Sequence, residues 1–549
     1  MASSFAVCRL HMRGRASLAK CLQKTDAFLH RMCLLHSFKC LTLREKNLTC
    51  WMASSLLSDE KNGRKSLHTL HMERQEQAER SVLISCQSST NEKKFLKYLS
   101  KHGEINKYFF YESYGVYAVV EFANQESVTS LLEGVAIPGG SHESAVPFKS
   151  RLLSLRNLGS VDSSNQLSGR QCQPQTTIPI NELIKRLSRE ESIDKQISSL
   201  TEAYQLTEEN SRLRFLVCSL LKDIATAYFP ECTIKPFGSS VNGFGKLGCD
   251  LDMLLDLDSI TGRNVKLSGL SLEYQMKRAN SERAVTQSIL SVIGECVDQF
   301  GPGCVGVQKI LNARCPLVRF AHQPSGFQCD LTANNRVAMK STELLYLYGE
   351  LDPRVRSLVF TVRCWARAHG VTSSIPGAWI TNFSLTVMVL FFLQKRTPPI
   401  IPTLDHLRDL AGTIQHSHIK LDENSLKNSL TSFTDGKEQN KPEVAPLHIQ
   451  NPFEASLNVS KNVNASQLDR FVALCQESAW LLQQSETSTP RGGGAGGKGA
   501  PTPWGLATLL LPSQVAGIKS RKKRRREPAS ERIKGLLESL KNKNQLKKS

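Results

Sequence analysis

The chain has 549 residues, 40% of them hydrophobic, which allows two or three domains with real cores. Its 70 Lys and Arg against 50 Asp and Glu leave a formal net charge of +20, which points to a polyanionic partner. Sixteen cysteines occur without a CxxC pair, so neither a zinc site nor a disulfide framework is signalled, and reduced thiols in an intracellular compartment are the simpler account. No P-loop, GxSxG or HExxH pattern offers a competing catalytic site.

Residues 1–44 carry Arg9, Arg13, Arg15, Lys20, Lys24, Arg31, Lys39 and Arg44, with Asp26 the only acid. Such a leader reads as a mitochondrial transit peptide, the plainer reading being a disordered basic arm; it lacks the continuous apolar core of a secretory signal. Residues 45–79 are polar and read as a linker that ends in a charged helical run around Met72–Arg80. Ser81–Cys86 reads as a strand, Glu92–His102 as a helix on Phe95, Leu96 and Leu99, Tyr114–Phe122 as a strong strand and Gln125–Leu132 as a helix. This order, within a unit placed at 80–155, resembles an RNA recognition motif, with Tyr117–Phe122 at that family's second signature strand. Val119 stands where a base-stacking aromatic is usual. The unit is therefore expected to serve dimerisation or weak RNA contact, or to be a small α/β domain with no RNA role.

Residues 156–179 are Ser/Gln/Asn-rich and read as a second linker, and helices follow from Ile180. Thr207 precedes Glu208 and Glu209 as a helix start with acids in its first turn, and Leu213, Leu216, Leu220, Leu221 and Ile224 form an apolar stripe. That helix is expected to pack on the strands after it.

The stretch Pro236–Asp258, PFGSSVNGFGKLGCDLDMLLDLD, carries the chemistry. Gly238-Ser239-Ser240 makes a small-residue turn, and Gly243, Gly245 and Gly248 space a loop before Asp250-Leu251-Asp252. In a strand, residues two apart share a face, so Asp250 and Asp252 present two carboxylates together while Leu251 and Met253 point away. Two such anions repel unless a cation sits between them, and Mg²⁺ is usually held by one or two carboxylates plus phosphate oxygens. The glycines let backbone N–H groups approach a triphosphate, and Ser239 adds a hydroxyl. A lone DxD is most simply a pair of solvated acids. The GSS turn, the acidic pair and the spacing between them together resemble the signature of DNA polymerase beta-type nucleotidyltransferases.

Ser281–Phe300 reads as a helix, and Val305–Leu311, Pro316–Phe320 and Gly326–Leu331 as strands. Asp330 lies in the last of these among uncharged neighbours, where a carboxylate needs a partner or a metal. The resemblance makes it the third metal-binding acid. Ser357–His369 reads as a helix that sets Arg363 and Arg367 on one face at i, i+4; a solvated basic face is the common reading, and the family's triphosphate-gripping helix is the resemblance. Ile375–Leu393 has no charge over nineteen residues, but Pro376, Gly377, Thr381, Asn382 and Ser384 make a loop and then a buried helix from Asn382 the expectation, without membrane insertion. Thr381-Asn382-Phe383 resembles the Ser-Ser-Tyr of terminal nucleotidyltransferases, where hydroxyls meet phosphate or ribose and the ring stacks on the base.

Pro398, Pro399 and Pro402 break the chain before Leu404–Leu410. Residues 411–445 contain no LLxxFFxYY-type amphipathic run, which this family usually carries there. The resemblance resumes over Ile449–Val463, with Leu457 where uridylate-adding relatives commonly have His, so adenine is favoured on family grounds. Ser466–Gln484 reads as the last helix, and residues 485–549 as a flexible basic tail containing Arg521–Arg526, RKKRRR.

From about residue 80 to 485 the chain resembles the poly(A) RNA polymerase family of terminal nucleotidyltransferases. The expected fold is α/β and multidomain: a nucleotidyltransferase palm (a mixed sheet with helices) at 230–345, a helical domain from 180–229 and 346–484, and the RRM-like α/β domain ahead of them. The resemblance implies template-independent polyadenylation of mitochondrial mRNA 3′ ends in the matrix, with AMP transferred from ATP to the 3′-hydroxyl. It implies two Mg²⁺ (or Mn²⁺) ions on Asp250, Asp252 and Asp330. Phe237, Gly238, Ser239, Arg363, Arg367, Thr381, Asn382 and Phe383 would bind nucleotide, and the enzyme would be a homodimer. Two other readings stand beside it: a terminal uridylyltransferase, and a catalytically impaired RNA-binding or dimerising protein, because the family helix after residue 410 is missing.

Overall fold

The computed structural model describes residues 65–87, 90–134, 149–154, 171–172, 177–257, 281–373, 377–407, 445–487 and 502–512. The leader over 1–44, most of the first linker (45–64), the segment 411–444 and the basic run Arg521–Arg526 lie outside those residues.

α1 (Leu67–Glu79) is opened by Ser66, whose hydroxyl accepts from the Thr69 N–H. The helical run expected around Met72–Arg80 is its second half; the helix begins at Leu67, inside the stretch read as linker. Only His71 and Ala78 are buried along it, so it lacks an apolar stripe to read. Ion pairs hold it to a later helix, Arg74 to Glu208 and Lys222 Nζ to Glu79 Oε1 at 2.7 Å.

β1 (Ser81–Cys86), α2 (Glu92–Leu99), β2 (Ile105–Glu112), β3 (Val116–Phe122) and α3 (Gln125–Gly134) follow, with the short β4 (Leu152–Ser154) and β5 (Gln171–Cys172). They form one sheet in the order β4-β1-β3-β2-β5, so part of the stretch read as a second linker supplies a strand. Val82, Ile84, Phe110, Ala118 and Val120 pack on Phe95, Leu99, Val128 and Leu131 of the two helices.

α4 (Ile180–Leu187), α5 (Ile193–Tyr204) and α6 (Glu208–Ala225) come next, with Thr207 capping α6 by accepting from the Asn210 N–H. The stripe of α6 covers the free face of the first sheet: Leu83, Tyr111 and Val119 share a core with Leu213, Leu216 and Leu220. Tyr111 Oη also donates to Pro324 O at 2.9 Å, and Ser113 Oγ to Gln323 O at 2.9 Å. An RNA recognition motif stacks bases on this face. Here Val119 is 4% exposed, and the chain's own core covers the part of the face around it.

The second sheet, β6 (Thr233–Pro236), β7 (Leu251–Asp256), β8 (Cys304–Ile310), β9 (Leu317–His322) and β10 (Phe327–Ala333), has the order β6-β7-β10-β9-β8. α6 and α7 (Glu282–Phe300, capped by Ser281) cover one face, where Leu216, Ile289 and Ile293 meet Leu251, Met253, Leu255 and Leu331. Alternation along β7 then sends Asp252 to the opposite face.

α8 (Arg336–Leu351), α9 (Pro353–Ala368), α10 (Asn382–Lys395), the hairpin β11 (Gln450–Asn451) and β12 (Glu454–Asn458), and α11 (Ala465–Thr487) join α4 and α5 around Trp365, Tyr348 and Leu393. α10 begins where the sequence predicts, and no helix among the described residues is long and apolar enough to cross a membrane.

α12 (Leu506–Leu509) corrects the reading of 485–549 as flexible throughout. Leu506, Ala507, Leu509 and Leu510 are buried in the helical core. Trp504 Nε1 donates to Ser188 O at 3.2 Å, and the Leu506 N–H to Gln196 Oε1 at 2.8 Å. A tail composition weighted to Gly, Pro and Lys masks this short apolar hook. Leu506→Asp places a charge in that core, and the expected loss is about 3 kcal/mol, roughly 3 °C in melting temperature. An unchanged melting temperature in a thermal scan would show that the hook holds nothing.

Candidate active site

Asp250 immediately precedes β7 and Asp252 lies within it. β10 runs parallel to β7 and sets Asp330 directly beside Asp252 in register. β9, antiparallel on the far side of β10, sets Arg319 directly opposite Asp330. Asp252 and Asp330 thus share one sheet face, with Asp250 two residues before Asp252, and a cation they were not predicted to have continues the row.

The carboxylates act on one another electrostatically. Burial, then Asp330 and Asp250, push Asp252 up to about 7, against the pull of Arg214 and Arg319. Asp250 is raised by burial and then by Asp330. Asp330 accepts two hydrogen bonds from Arg319, Nε to Oδ1 at 2.7 Å and Nη2 to Oδ2 at 2.6 Å. Among the described residues no three acidic, histidine or cysteine side chains converge as they stand to hold a metal ion. The donor set nevertheless suits Mg²⁺ or Mn²⁺: it is all carboxylate oxygen, and its mutual repulsion is what a divalent cation relieves.

The phosphate-facing loop is built around the same acids. Phe237 donates its N–H to Asp252 O at 3.0 Å, which ties the end of β6 to β7. Gly238 adopts φ +62° and donates its N–H to Thr342 Oγ1 at 2.9 Å; a Cβ there would sit 3.2 Å from Asp252 Oδ2. Both the backbone and the contact require glycine. Gly238→Ala is therefore expected to lower kcat by about 10- to 100-fold while the melting temperature falls only slightly, because it displaces Asp252 rather than the core. Primer-extension rates check this, and wild-type turnover would refute it. Ser239, half-buried, points its Oγ at Cys249 Sγ at 3.4 Å.

Beneath this loop lies Arg214 of α6, fully buried. It donates to Asn210 Oδ1 at 2.7 Å, Ser240 Oγ at 2.8 Å, Asp250 O at 2.9 Å and Cys249 O at 2.7 Å, and its guanidinium sits 4.7 Å from the Phe327 ring centroid. It joins the GSS turn to the acidic strand.

The two predicted cations of α9 have different environments. Arg363 donates to Phe244 O at 2.6 Å and Thr386 Oγ1 at 2.5 Å, its Nε is buried without a partner, and burial lowers its pKa to about 10. It clamps the glycine loop to α10, whereas the family resemblance sets it among the groups that grip the triphosphate. Arg367 is exposed. Next to it Lys246, half-buried in the glycine loop, has its pKa lowered by burial and by Arg367 and held up in part by Asp250. Lys246 thus joins Arg367 as the local positive charge.

At the start of α10, Thr381 Oγ1 accepts from the Ser384 N–H at 3.1 Å and caps the helix. Asn382 is exposed, and Phe383 is partly buried against the helical core. Leu457 lies half-buried in β12. Sequence reasoning missed Arg214, Arg319 and Lys246. Only Arg214 left a signal, a lone cation inside the apolar stripe Leu213–Leu216.

A mixed sheet carrying three acids beneath a Gly-Ser turn defines a nucleotidyltransferase palm. A family model described as "Poly(A) RNA polymerase, mitochondrial-like, central palm domain" matches residues 193–350, and one described as "RL domain" matches 66–136, beginning at the cap of α1. The chain is 53% identical to the mitochondrial poly(A) RNA polymerase of Mus musculus over 522 residues, covering 88% of this chain and 87% of that one. The Homo sapiens protein of that name is 53% identical over 524 residues, with 88% and 87% covered. The crystal structure of mtPAP with ATPγS is 49% identical with a TM-score of 0.68, and that with CTP is 50% identical with a TM-score of 0.68; each match covers 82% of this chain and 100% of the other. The chain belongs to the family of mitochondrial poly(A) RNA polymerases.

Proposed function

We infer that this nucleotidyltransferase extends RNA 3′ ends with AMP from ATP, without a template, in the mitochondrial matrix, where mitochondrial mRNA is its substrate. The observation that carries the reading is Asp330 in register beside Asp252, with Asp250 raised by burial and then by Asp330. Gly238 and Ser239 offer N–H and hydroxyl donors to the triphosphate, Lys246 and Arg367 balance its charge, and the Phe383 ring is the stacking surface for the base. Asp250, Asp252 and Asp330 would hold the divalent ions, which when bound lower the pKa of the 3′-hydroxyl and neutralise charge at the α-phosphate. The carboxylates orient the hydroxyl for in-line attack, and the glycine loop holds the departing pyrophosphate.

Phe237 and Arg363 act from behind, one fixing β6 to β7 and the other fixing the loop to α10. Thr381 and Asn382 present that helix start to the nucleotide. The domain limits read from the sequence stand as part of this proposal, with α1 counted into the first domain and 502–510 into the helical one, and the first domain is the expected site of homodimer contact. The leader over 1–44 is the proposed targeting segment.

Because mtPAP has been crystallised with CTP as well as with ATPγS, nucleotide preference is a matter of rates rather than of binding alone. The test is extension of a short RNA with each nucleoside triphosphate separately and in competition. Adenylate tails that outcompete the others support the reading. Preferential uridylate addition, or no extension by a folded protein, sinks it.

A further inference from the structure

The row Asp252–Asp330–Arg319 runs across three adjacent strands in direct register. Residues opposed in this way project from one sheet face. Arg319 is 48% exposed and Asp330 17%, and the guanidinium meets both carboxylate oxygens in a two-bond fork. Its influence extends beyond its partner: Arg319 also lowers the pKa of Asp250 and of Asp252, and Asp330, Asp250 and Asp252 together raise its own. Arg319 is thus the cation paired directly with Asp330, while Arg214 and Lys246 also act on Asp250 and Arg214 on Asp252.

Both Asp330 oxygens already accept from the guanidinium, so a cation on Asp330 would have to share those oxygens beside a fixed positive charge or displace a bond of the fork. The monovalent guanidinium also repels a divalent ion placed among the same acids. An ordinary half-exposed cross-strand ion pair would contribute only about 0–1 kcal/mol to stability and have no further consequence. This pair differs because one partner is an acid of the proposed metal site.

We propose that Arg319 is a positioning residue that competes with the divalent cation for Asp330 and so sets the metal affinity of the site. The inference rests on the reading of Asp250, Asp252 and Asp330 as metal ligands. A cation held by Asp330 would compete with the Arg319 guanidinium for the charge and the lone pairs of that carboxylate. In the metal-free protein Arg319 holds Asp330 in place and offsets the repulsion among the acids. Loading is thereby confined to conditions in which the cation outcompetes an internal charge.

The experiment is Mn²⁺ titration of the full chain without nucleotide, read by the loss of the free-ion paramagnetic resonance signal. The proteins are wild type, Arg319→Met, Arg319→Lys, Asp252→Asn and Asp330→Asn, together with the Arg319→Met, Asp330→Asn double variant. Arg319→Met is expected to bind Mn²⁺ about tenfold more tightly, while Arg319→Lys, a point charge without the fork, falls between it and wild type. In the Asp330→Asn background the same substitution should change affinity by less than about twofold, because the competition has lost its object. A melting curve without metal confirms that each variant folds.

Wild-type Mn²⁺ affinity in Arg319→Met, or weaker binding, overturns the competition. If wild type binds no Mn²⁺, or binds it no better than Asp252→Asn, the carboxylate metal site itself fails and takes this inference with it. If binding needs Asp330 but ignores Arg319, only this inference fails.

Discussion

Asp252→Asn is expected to reduce nucleotidyl transfer by about 10³-fold or more and, in the same molecule, to stabilise the metal-free protein above neutral pH. The first effect follows from removing an anionic ligand beside Asp330 at the reacting face. The second follows from where Asp252 titrates. Its folded-state pKa, about 7, lies above the ordinary value of 3.8. Below 3.8 both folded and unfolded chains carry the proton, and there is no penalty. Between 3.8 and 7 the folded chain keeps a proton that the unfolded chain has released, so stability falls as pH rises through that window. Above 7 the full penalty of a buried carboxylate beside two others remains. Asparagine removes it.

In EDTA at pH 8 the variant should melt roughly 3–6 °C above wild type, and the gap should close as the pH is lowered toward 4. Adding Mn²⁺ should raise the wild-type melting temperature and leave the variant's unchanged. Equal melting curves at pH 8 would show that the carboxylates do not strain one another. An active variant would remove Asp252 from the chemistry.

The two acids of one strand were legible because strand alternation is a local rule, and β7 places Leu251 and Met253 in the core as that rule requires. The helix starts at Thr207, Ser281 and Asn382 were local signals too, and in the structure Thr207, Ser281 and Thr381 cap those helices. The position of Asp330 beside Asp252 was supplied by family resemblance, because strand order is a tertiary property and no spacing encodes it. Arg319 was invisible for the same reason: its significance lies in cross-strand register. Helical periodicity put Arg363 and Arg367 on one face but could not show that Phe244 and Thr386 cover half of it.

The first sheet shows a related limit. Leu83, Tyr111 and Val119 alternate with an equally apolar set on the other face, a pattern of burial on both sides. Read as a domain meant to stand alone, that second face looked like an RNA surface missing an aromatic. In the folded chain it is a docking face for α6. Residues 502–510 were obscured by composition, since four apolar residues carry little weight in a basic tail.

The second large effect is expected at Arg214. Burying a guanidinium completely is costly unless every donor is satisfied. Here the donors are used on Asn210, Ser240 and the carbonyls of Cys249 and Asp250. Arg214→Met fits the volume but leaves the Cys249 and Asp250 carbonyls without this donor, at about 1–3 kcal/mol for each group left unsatisfied. A loss of about 3–5 kcal/mol corresponds to a fall of roughly 3–4 °C in melting temperature for a protein of this size.

Arg214→Lys retains the charge, so the Asp252 pKa should rise less in it than in Arg214→Met, but one ammonium cannot reach the turn and the strand together. Its melting temperature should lie between the other two, and its kcat should fall further than its KM rises, because Asp250 and the GSS turn lose their common anchor. That split separates positioning from mere stability. A lysine variant that melts lower but turns over at the wild-type rate would make Arg214 a core residue and nothing more. A methionine variant with unchanged stability would show that the four hydrogen bonds do not hold the acidic strand to the phosphate-facing turn.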